Sequence, residues 1–172
     1  MEPILSHLYH SPAGELLLAS FGGELCLCDW VGGTNTEENL RRICNGLKAD
    51  IVEGNSTVIE ETKHQLDEYF ARERRVFEIP LLLVGTEFQK MVWRTLLKIP
   101  YGHTISYLQQ AQMMGRPKSV RAVANANAHN AISIIVPCHR VIGTNGKLTG
   151  YAGGLRAKDL LLEQEGFMLM QS

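Results

Sequence analysis

Short apolar runs, broken by turn residues, occupy the first thirty positions of the chain. Leu16-Leu17-Leu18 and Leu25-Cys26-Leu27-Cys28 are bounded by Ser11-Pro12-Ala13-Gly14 and Phe21-Gly22-Gly23, a pattern that predicts strands joined by tight turns. The repeat then lengthens. Thr36 to Leu47 predicts a helix with Thr36 as N-cap and Glu37 and Glu38 in the first turn, where unpaired N–H groups favour negative charge. Ser56 to Phe70 predicts a second helix, with Val58, Ile59, Leu66, Tyr69 and Phe70 near helical spacing. Ile79 to Val84 returns to an extended apolar form. This half reads as a small α+β domain without a catalytic constellation.

The second half is patterned for helices. Thr86 caps a segment running to about Ile99, and Pro100 stops it. Ser106 caps a short helix from Tyr107 to Met114 that Gly115 ends, and Pro117 is expected in the first turn of a third helix continuing to Ala128. Two short helices split by Gly115-Arg116-Pro117 are a helix-turn-helix signal. Ile132 to Val136 is expected to be extended, and Leu155 to Glu165 forms a last amphipathic helix ended by Gly166. The chain therefore divides into an N-terminal domain, residues 1–85, and a C-terminal domain, residues 86–172.

Composition narrows the class. Of 172 residues, 45% are hydrophobic, enough for a packed core and too many for a disordered chain. No apolar run approaches the roughly 20 residues of a membrane span, and Met1 to His10 lacks the basic start and apolar stretch of a signal peptide. Cys26 and Cys28 lie two apart in a predicted strand, so both are expected on one face and unable to pair with each other. With Cys44 and Cys138 they suggest reduced thiols in an intracellular, cytoplasmic protein. The net charge of −1 conceals an asymmetry: residues 1–85 carry −7 and residues 86–172 carry +6. A one-sided basic half suits contact with a polyanion. Two domains of different isoelectric point would look the same.

The third helix, Arg121-Ala122-Val123-Ala124-Asn125-Ala126-Asn127-Ala128, has alanine at every second position and no long side chain after Arg121. Small side chains suit tight packing on a neighbouring helix. They suit equally an approach to the minor groove, where shape and backbone contacts dominate. The sequence leaves both open.

The strongest chemical signal is Pro137-Cys138-His139-Arg140-Val141. The proline fixes the backbone ahead of a cysteine, and the cationic neighbours favour the nucleophilic thiolate. An ordinary thiol, with a pKa of about 8.5, is only a few per cent ionised at neutral pH and needs activation. Neighbours on an extended chain point in opposite directions, so Cys138 and His139 would communicate through a water. Glu165 is a candidate to orient the imidazole, completing a Glu–His–water–Cys relay. A buried structural cysteine beside a hydrogen-bonded histidine is the alternative. No second Cys or His lies nearby at metal-ligand spacing.

Pro137-Cys138-His139-Arg140-Val141, followed by Gly150-Tyr151-Ala152-Gly153-Gly154, resembles the signature of the O6-alkylguanine-DNA alkyltransferases, also called methylated-DNA–protein-cysteine methyltransferases, in their free-standing bacterial-type form. The resemblance spans residues 86–167. It implies an α+β protein with an RNase H-like N-terminal α/β domain and a mostly helical, winged helix-turn-helix C-terminal domain. It implies a DNA repair reaction in which O6-alkylguanine, and O4-alkylthymine as well, is flipped from double-stranded DNA and its alkyl group passes irreversibly to the protein's own cysteine. The expected protein is a monomer with no cofactor, no membrane contact and no metal, since its cysteines do not fall at the positions of the zinc site some members carry.

Residue by residue, the resemblance makes Cys138 the acceptor, His139 its water-linked base, and Glu165 the orienting carboxylate. Asn130 buttresses the turn before the cysteine. Tyr107 crowds the DNA backbone and donates to the leaving base, and Arg121 fills the vacated place in the stack. Ala122, Ala124 and Asn125 would lie along the DNA, and Arg116, Lys118, Arg121 and Arg140 are the candidate phosphate neighbours. Pro137, Val141, Tyr151, Ala152 and Gly153 would form the base pocket. Ala152 stands where some members have serine.

Three rivals belong to other classes. A non-catalytic binder of alkylated DNA with the same fold would lack Cys138. A transcription regulator would need base-reading side chains on a third helix that is mostly alanine. A cysteine hydrolase would need an oxyanion hole, which the sequence does not reveal.

Overall fold

A computed structural model of the chain describes residues 2–143 and 150–166. The N-terminal half is built on a four-stranded sheet of order β3-β2-β1-β4. Strands β1 (Ile4–Ser11), β2 (Gly14–Phe21) and β3 (Glu24–Trp30) form an antiparallel meander, and β4 (Ile51–Glu53) lies parallel to β1. Gly22 and Gly23 both have positive φ, 59° and 79°, as a two-residue hairpin turn matched to strand twist requires. Helix α1 (Thr36–Leu47) covers one sheet face, where Ile43 packs with Ile4, Ala19, Cys26 and Leu27. Helix α2 (Thr57–Phe70) covers the other, where Ile59, Leu66 and Tyr69 join Leu16, Leu18 and Leu25. That second core runs on without a break into the C-terminal half, through Trp93, Leu96, Val123, Val136 and Leu161.

Cys26 and Cys28 do not share a face. The β2–β3 register steps from Ala19 opposite Leu27 to Ser20 opposite Leu25, leaving Cys26 as the extra residue of a bulge. A bulge reverses side-chain alternation, so Cys26 enters the α1 core and Cys28 the α2 core. Both are free thiols.

The C-terminal half holds α3 (Glu87–Leu96), α4 (Tyr107–Met113), α5 (Val120–Ala128) and α6 (Leu155–Gln164). Two short parallel strands, β5 (Ile105–Ser106) and β6 (Val141–Ile142), complete it. Thr86 and Ser106 make full capping boxes with Gln89 and Gln109. Gly115, at φ 71°, ends α4, with Gly115 N–H bonding Gln112 O at 2.9 Å and Arg116 N–H bonding Ala111 O at 2.9 Å. That pair of bonds is the Schellman arrangement. The pair α4–α5 is the expected helix-turn-helix, clamped by reciprocal amide bonds between Gln110 and Asn127 of 3.1 and 2.7 Å.

Four local expectations fail for identifiable reasons. Thr36 is not the cap of α1; its hydroxyl donates instead to Trp30 O at 2.6 Å, and Asn35 takes the cap position without a side-chain bond. Pro117 is outside α5, because Ser119 N–H bonds Arg116 O at 2.9 Å and closes a separate turn in which proline's fixed φ fits the second position. Helix α3 stops at Leu96, and Lys98 and Ile99 bond back three residues in tighter turns before Pro100. The segment 132–136 is no strand. Ile132 makes one bridge to Cys28, and the chain then turns through Ile134 at φ 72°, a strained conformation for a β-branched residue.

Candidate active site

That turn delivers Pro137-Cys138-His139-Arg140 into the core as a single 3-10 turn, Cys138–Arg140, with every residue from Ala131 to Ile142 buried. Asn130 holds the turn in shape. Its Oδ1 accepts from Ile132 N–H at 3.0 Å, while its Nδ2 donates to Val136 O at 2.8 Å and to Cys138 Sγ at 3.3 Å. The side chain therefore ties the corner after α5 directly to the thiol.

Glu165, just past α6, is the electrostatic centre beneath. Its side chain is fully buried and accepts from His139 Nε2 at 2.7 Å, Tyr69 Oη at 2.7 Å and a two-point fork from Arg140, Nε at 2.8 Å and Nη2 at 3.1 Å. Burial alone would raise this carboxyl. The hydrogen bonds from His139 and Arg140, together with the charge of Arg140, outweigh it and hold the group at about 2. An ionised carboxylate can only accept, so His139 Nε2 carries the proton in this contact. Burial also lowers the His139 pKa, against the pull of Glu165. The ring is thus a neutral imidazole whose Nδ1 is a free acceptor, and that atom is buried without a protein hydrogen bond among the described residues. A base needs such an atom.

The thiol itself differs from the expectation of activation by adjacent cations. Arg140 is committed to Glu165 and to Ile99 O at 2.7 Å. Burial pushes the Cys138 thiol up to about 11; the Asn130 hydrogen bond and the Lys158 charge act to lower it. Lys158 is completely buried on α6, donates to Val141 O at 2.8 Å, and is itself brought down to about 8 by burial, against the pull of Cys138. Lys158 is the functional-site cation that the sequence motif did not reveal, and Arg140, expected near a phosphate, is buried against Glu165 instead. The signal was present: Ala157, Lys158, Leu161, Leu162 and Glu165 share one helical stripe, so two charges fall on the apolar face.

Cys138, 9% exposed, opens into a cleft of about 470 Å3. The walls include Tyr107, Ala124, Asn127 and Ala128 from the helix-turn-helix, Tyr151 and Ala152, and also Thr34 and Asn35 from the N-terminal half. Nothing in the sequence marked the last two. Three expected pocket residues lie elsewhere. Pro137 lines a separate crevice with Arg75 and Tyr101. Val141 is buried in β6. Gly153 sits against Trp30, where a Cβ would meet the indole at 2.6 Å, so it shapes the Tyr151 loop from behind. Trp30 Nε1 donates to Tyr151 Oη at 3.3 Å.

Helix α5 turns some of its alanines inward and others outward. Val123, Ala126 and Asn127 are buried against the core, while Arg121, Ala122 and Asn125 are exposed and Ala124 faces the cleft. Arg116 and Lys118 stand exposed on the preceding turn. Among the described residues no group of three or more His, Cys, Asp or Glu side chains is placed to hold a metal ion. No helix among them is long and apolar enough to cross a membrane.

A buried Cys–His–Glu array under a helix-turn-helix defines a DNA-directed, cysteine-dependent class, and comparison with known proteins makes it specific. Residues 4–83 match the ribonuclease-like domain of 6-O-methylguanine DNA methyltransferase, and residues 87–167 match the DNA binding domain of the same family. The chain is 45% identical over 159 residues to the methylated-DNA–protein-cysteine methyltransferase of Methanosarcina acetivorans, covering 92% of this chain and 96% of that protein. It is 45% identical over 163 residues to the Mycobacterium leprae protein of the same name, covering 94% and 92%. The structure is similar to Mycobacterium tuberculosis OGT solved in complex with DNA, with a TM-score of 0.80, 42% identity, and coverage of 94% and 92%. The chain belongs to the methylated-DNA–protein-cysteine methyltransferase family.

Proposed function

We propose that this protein repairs O6-alkylguanine in duplex DNA by taking the alkyl group onto Cys138, and that it acts on O4-alkylthymine by the same displacement. The observation that carries the reading is Cys138 at the floor of a cleft walled by α5, with Asn130 on its sulfur and a Glu165-oriented neutral His139 beside it. His139 Nδ1 takes the thiol proton through a water. The thiolate attacks the alkyl carbon, the C–S bond forms as the C–O bond breaks, and the base leaves with negative charge that the Tyr107 hydroxyl stabilises by donation. A thioether is not hydrolysed, so each molecule acts once.

The alkyl carbon is inaccessible inside a duplex, so the nucleotide must be flipped out, at a cost of a few kcal/mol. The exposed Arg121 fills the gap, and the small outward side chains Ala122 and Ala124 let α5 approach the minor groove. Arg116 and Lys118 neighbour phosphates. This recognition-helix unit begins near residue 86, and the protein acts in the cytoplasm.

The test is incubation with DNA carrying label in the O6-methyl group. Label should move covalently to the wild-type protein, one equivalent per molecule, and not at all to Cys138→Ala, which should still bind DNA. Stoichiometric label on the alanine variant would overturn the assignment of the acceptor.

A further inference from the structure

The last carbonyls of α5 have no partners within the helix, as at any helix C-terminus, and here the N-terminal half supplies two. Asn35 Nδ2 donates to Ala128 O at 2.8 Å, and Arg42 Nη2 donates to His129 O at 3.0 Å. Within the C-terminal half, Trp93 Nε1 donates to Ala126 O at 2.8 Å, and the Arg42 guanidinium lies 5.3 Å from the Trp93 ring centre. A cation is favoured at the negative end of a helix. Arg42 is held in place on its other edges: Nε donates to Val84 O at 2.9 Å and Nη1 to Asn39 Oδ1 at 2.8 Å, and Asn39 in turn donates to the buried Asp29 at 2.9 Å.

The same half also grips the chain just beyond the helix. Cys28 N–H bonds Ala131 O at 2.8 Å, and Ser133 N–H bonds Cys28 O at 2.7 Å. Only Asn130 lies between these two grips, and it is the residue bonded to Cys138 Sγ. The N-terminal half therefore clamps both sides of the corner that joins α5 to the thiol.

From these contacts we propose that Arg42 is a positioning residue: as the charged C-cap of α5, it sets the recognition helix in register with Cys138. The proposal rests on the alkyl-transfer reading and assigns a task to the half that carries no catalytic group. A free base enters the cleft without the helix having to dock in a groove. Loss of the cap should therefore affect lesions in duplex DNA far more than free O6-benzylguanine.

The experiment compares wild type, Arg42→Ala and Arg42→Lys in the full-length protein, by transfer rate from O6-methylguanine duplex, transfer rate from free O6-benzylguanine, and amide hydrogen exchange. For Arg42→Ala, exchange should quicken at Ala128, His129 and Asn130 while the sheet stays protected. Duplex transfer should fall by about 10- to 100-fold, the range for misplaced reacting groups, and free-base transfer by much less. Arg42→Lys should recover part of both losses, since an ammonium keeps the charge but cannot reach Asn39, Val84 and His129 together. It carries the same comparison should Arg42→Ala not accumulate folded. Equal losses on both substrates with faster exchange throughout the sheet would overturn the proposal, as would unchanged exchange and unchanged duplex transfer. If wild type itself transfers no label, the alkyl-transfer reading fails, while the exchange data still decide whether Arg42 caps the helix.

Discussion

Each half of the protein buries one carboxylate beside an arginine, and the two behave in opposite ways. Asp29 receives Trp30 N–H at 2.9 Å and Asn39 Nδ2 at 2.9 Å, and Arg42 reaches it only through Asn39. Burial wins there, and the Asp29 pKa is raised despite those bonds and the Arg42 charge. Glu165 touches its arginine directly through two bonds and has His139 and Tyr69 as well, and it is held at about 2. One intervening amide separates a carboxylate that resists ionisation from one that cannot lose its charge near neutral pH. Asp29 sits in a network of neutral donors, whereas the anionic Glu165 holds His139 Nε2 as a donor and leaves Nδ1 without a proton.

The largest test of this contrast is Glu165→Gln. Removing one member of a buried ion pair costs about 3–5 kcal/mol, and Arg140 is left without its counter-charge. The folded pKa lies below the unfolded one of about 4.3, so this stability is fully present above that pH and is lost as pH falls towards 2. Denaturation at pH 7, 4.5 and 3 should show the gap between wild type and variant closing. A gap that stays constant would refute the electrostatic account of the Glu165 cluster.

Lys158→Met separates activity from stability. The folded pKa, about 8, lies below the ordinary 10.5, so the charged form costs stability at neutral pH, and that cost is relieved as pH rises from 8 to 10.5. The variant should melt no lower than wild type at pH 7 and should lack the wild type's gain in alkali. Its thiol should react more slowly with a small alkylating reagent, by about tenfold for each unit the Cys138 pKa rises. Unchanged thiol reactivity would remove Lys158 from the site's electrostatics.

A smaller effect is expected within the helix-turn-helix. Gln110→Leu strands the Asn127 amide in the core and should cost about 1–3 kcal/mol, whereas Gln110→Leu with Asn127→Leu should cost less than the sum of the single changes. Strict additivity in chemical denaturation would show that the amide pair contributes nothing as a pair.

The smallest is Asp29→Asn, expected to change stability at pH 7 by about 1 kcal/mol or less, because the charge it removes is poorly compensated. The sign with pH reverses that of Glu165. A raised folded pKa gives stability that is present at low pH and lost as pH rises through that pKa. Wild type should therefore gain on the variant as the solution is acidified. A loss as large as that of Glu165→Gln would erase the contrast between the two halves.

Much of this was legible because it is local. Thr86 and Ser106 cap their helices, Gly115 ends α4, and the strands follow the apolar runs, since caps, turns and short periodicities depend on residues a few positions apart. Pro-Cys-His-Arg pointed to Cys138 as the candidate thiol, and Glu165, named as the candidate partner of the imidazole, does meet His139 Nε2 at 2.7 Å. Long-range competition was hidden. Ile132 to Val136 has every local mark of a strand, yet β3 accepts only one bridge from it and the chain turns through Ile134. The Cys26 bulge likewise arises from the pairing of β2 with β3, which no single strand encodes visibly.

By itself, then, the sequence determined most of the element types and the helix-turn-helix, and it singled out Cys138 as the candidate nucleophile. The tertiary structure alone decided the electrostatic state of that nucleophile. Cys138 looked activated by its neighbours in sequence, but Arg140 is consumed by Glu165, the cation that lowers the thiol is Lys158 from α6, and burial dominates. It also decided that Thr34 and Asn35, about one hundred positions before the thiol, wall its cleft and that Arg42 caps its helix. The physical reason is common to all of these. A charge or a helix terminus responds to whatever lies within a few ångströms, and desolvation is set by the whole core, whereas sequence proximity specifies only the covalent neighbours.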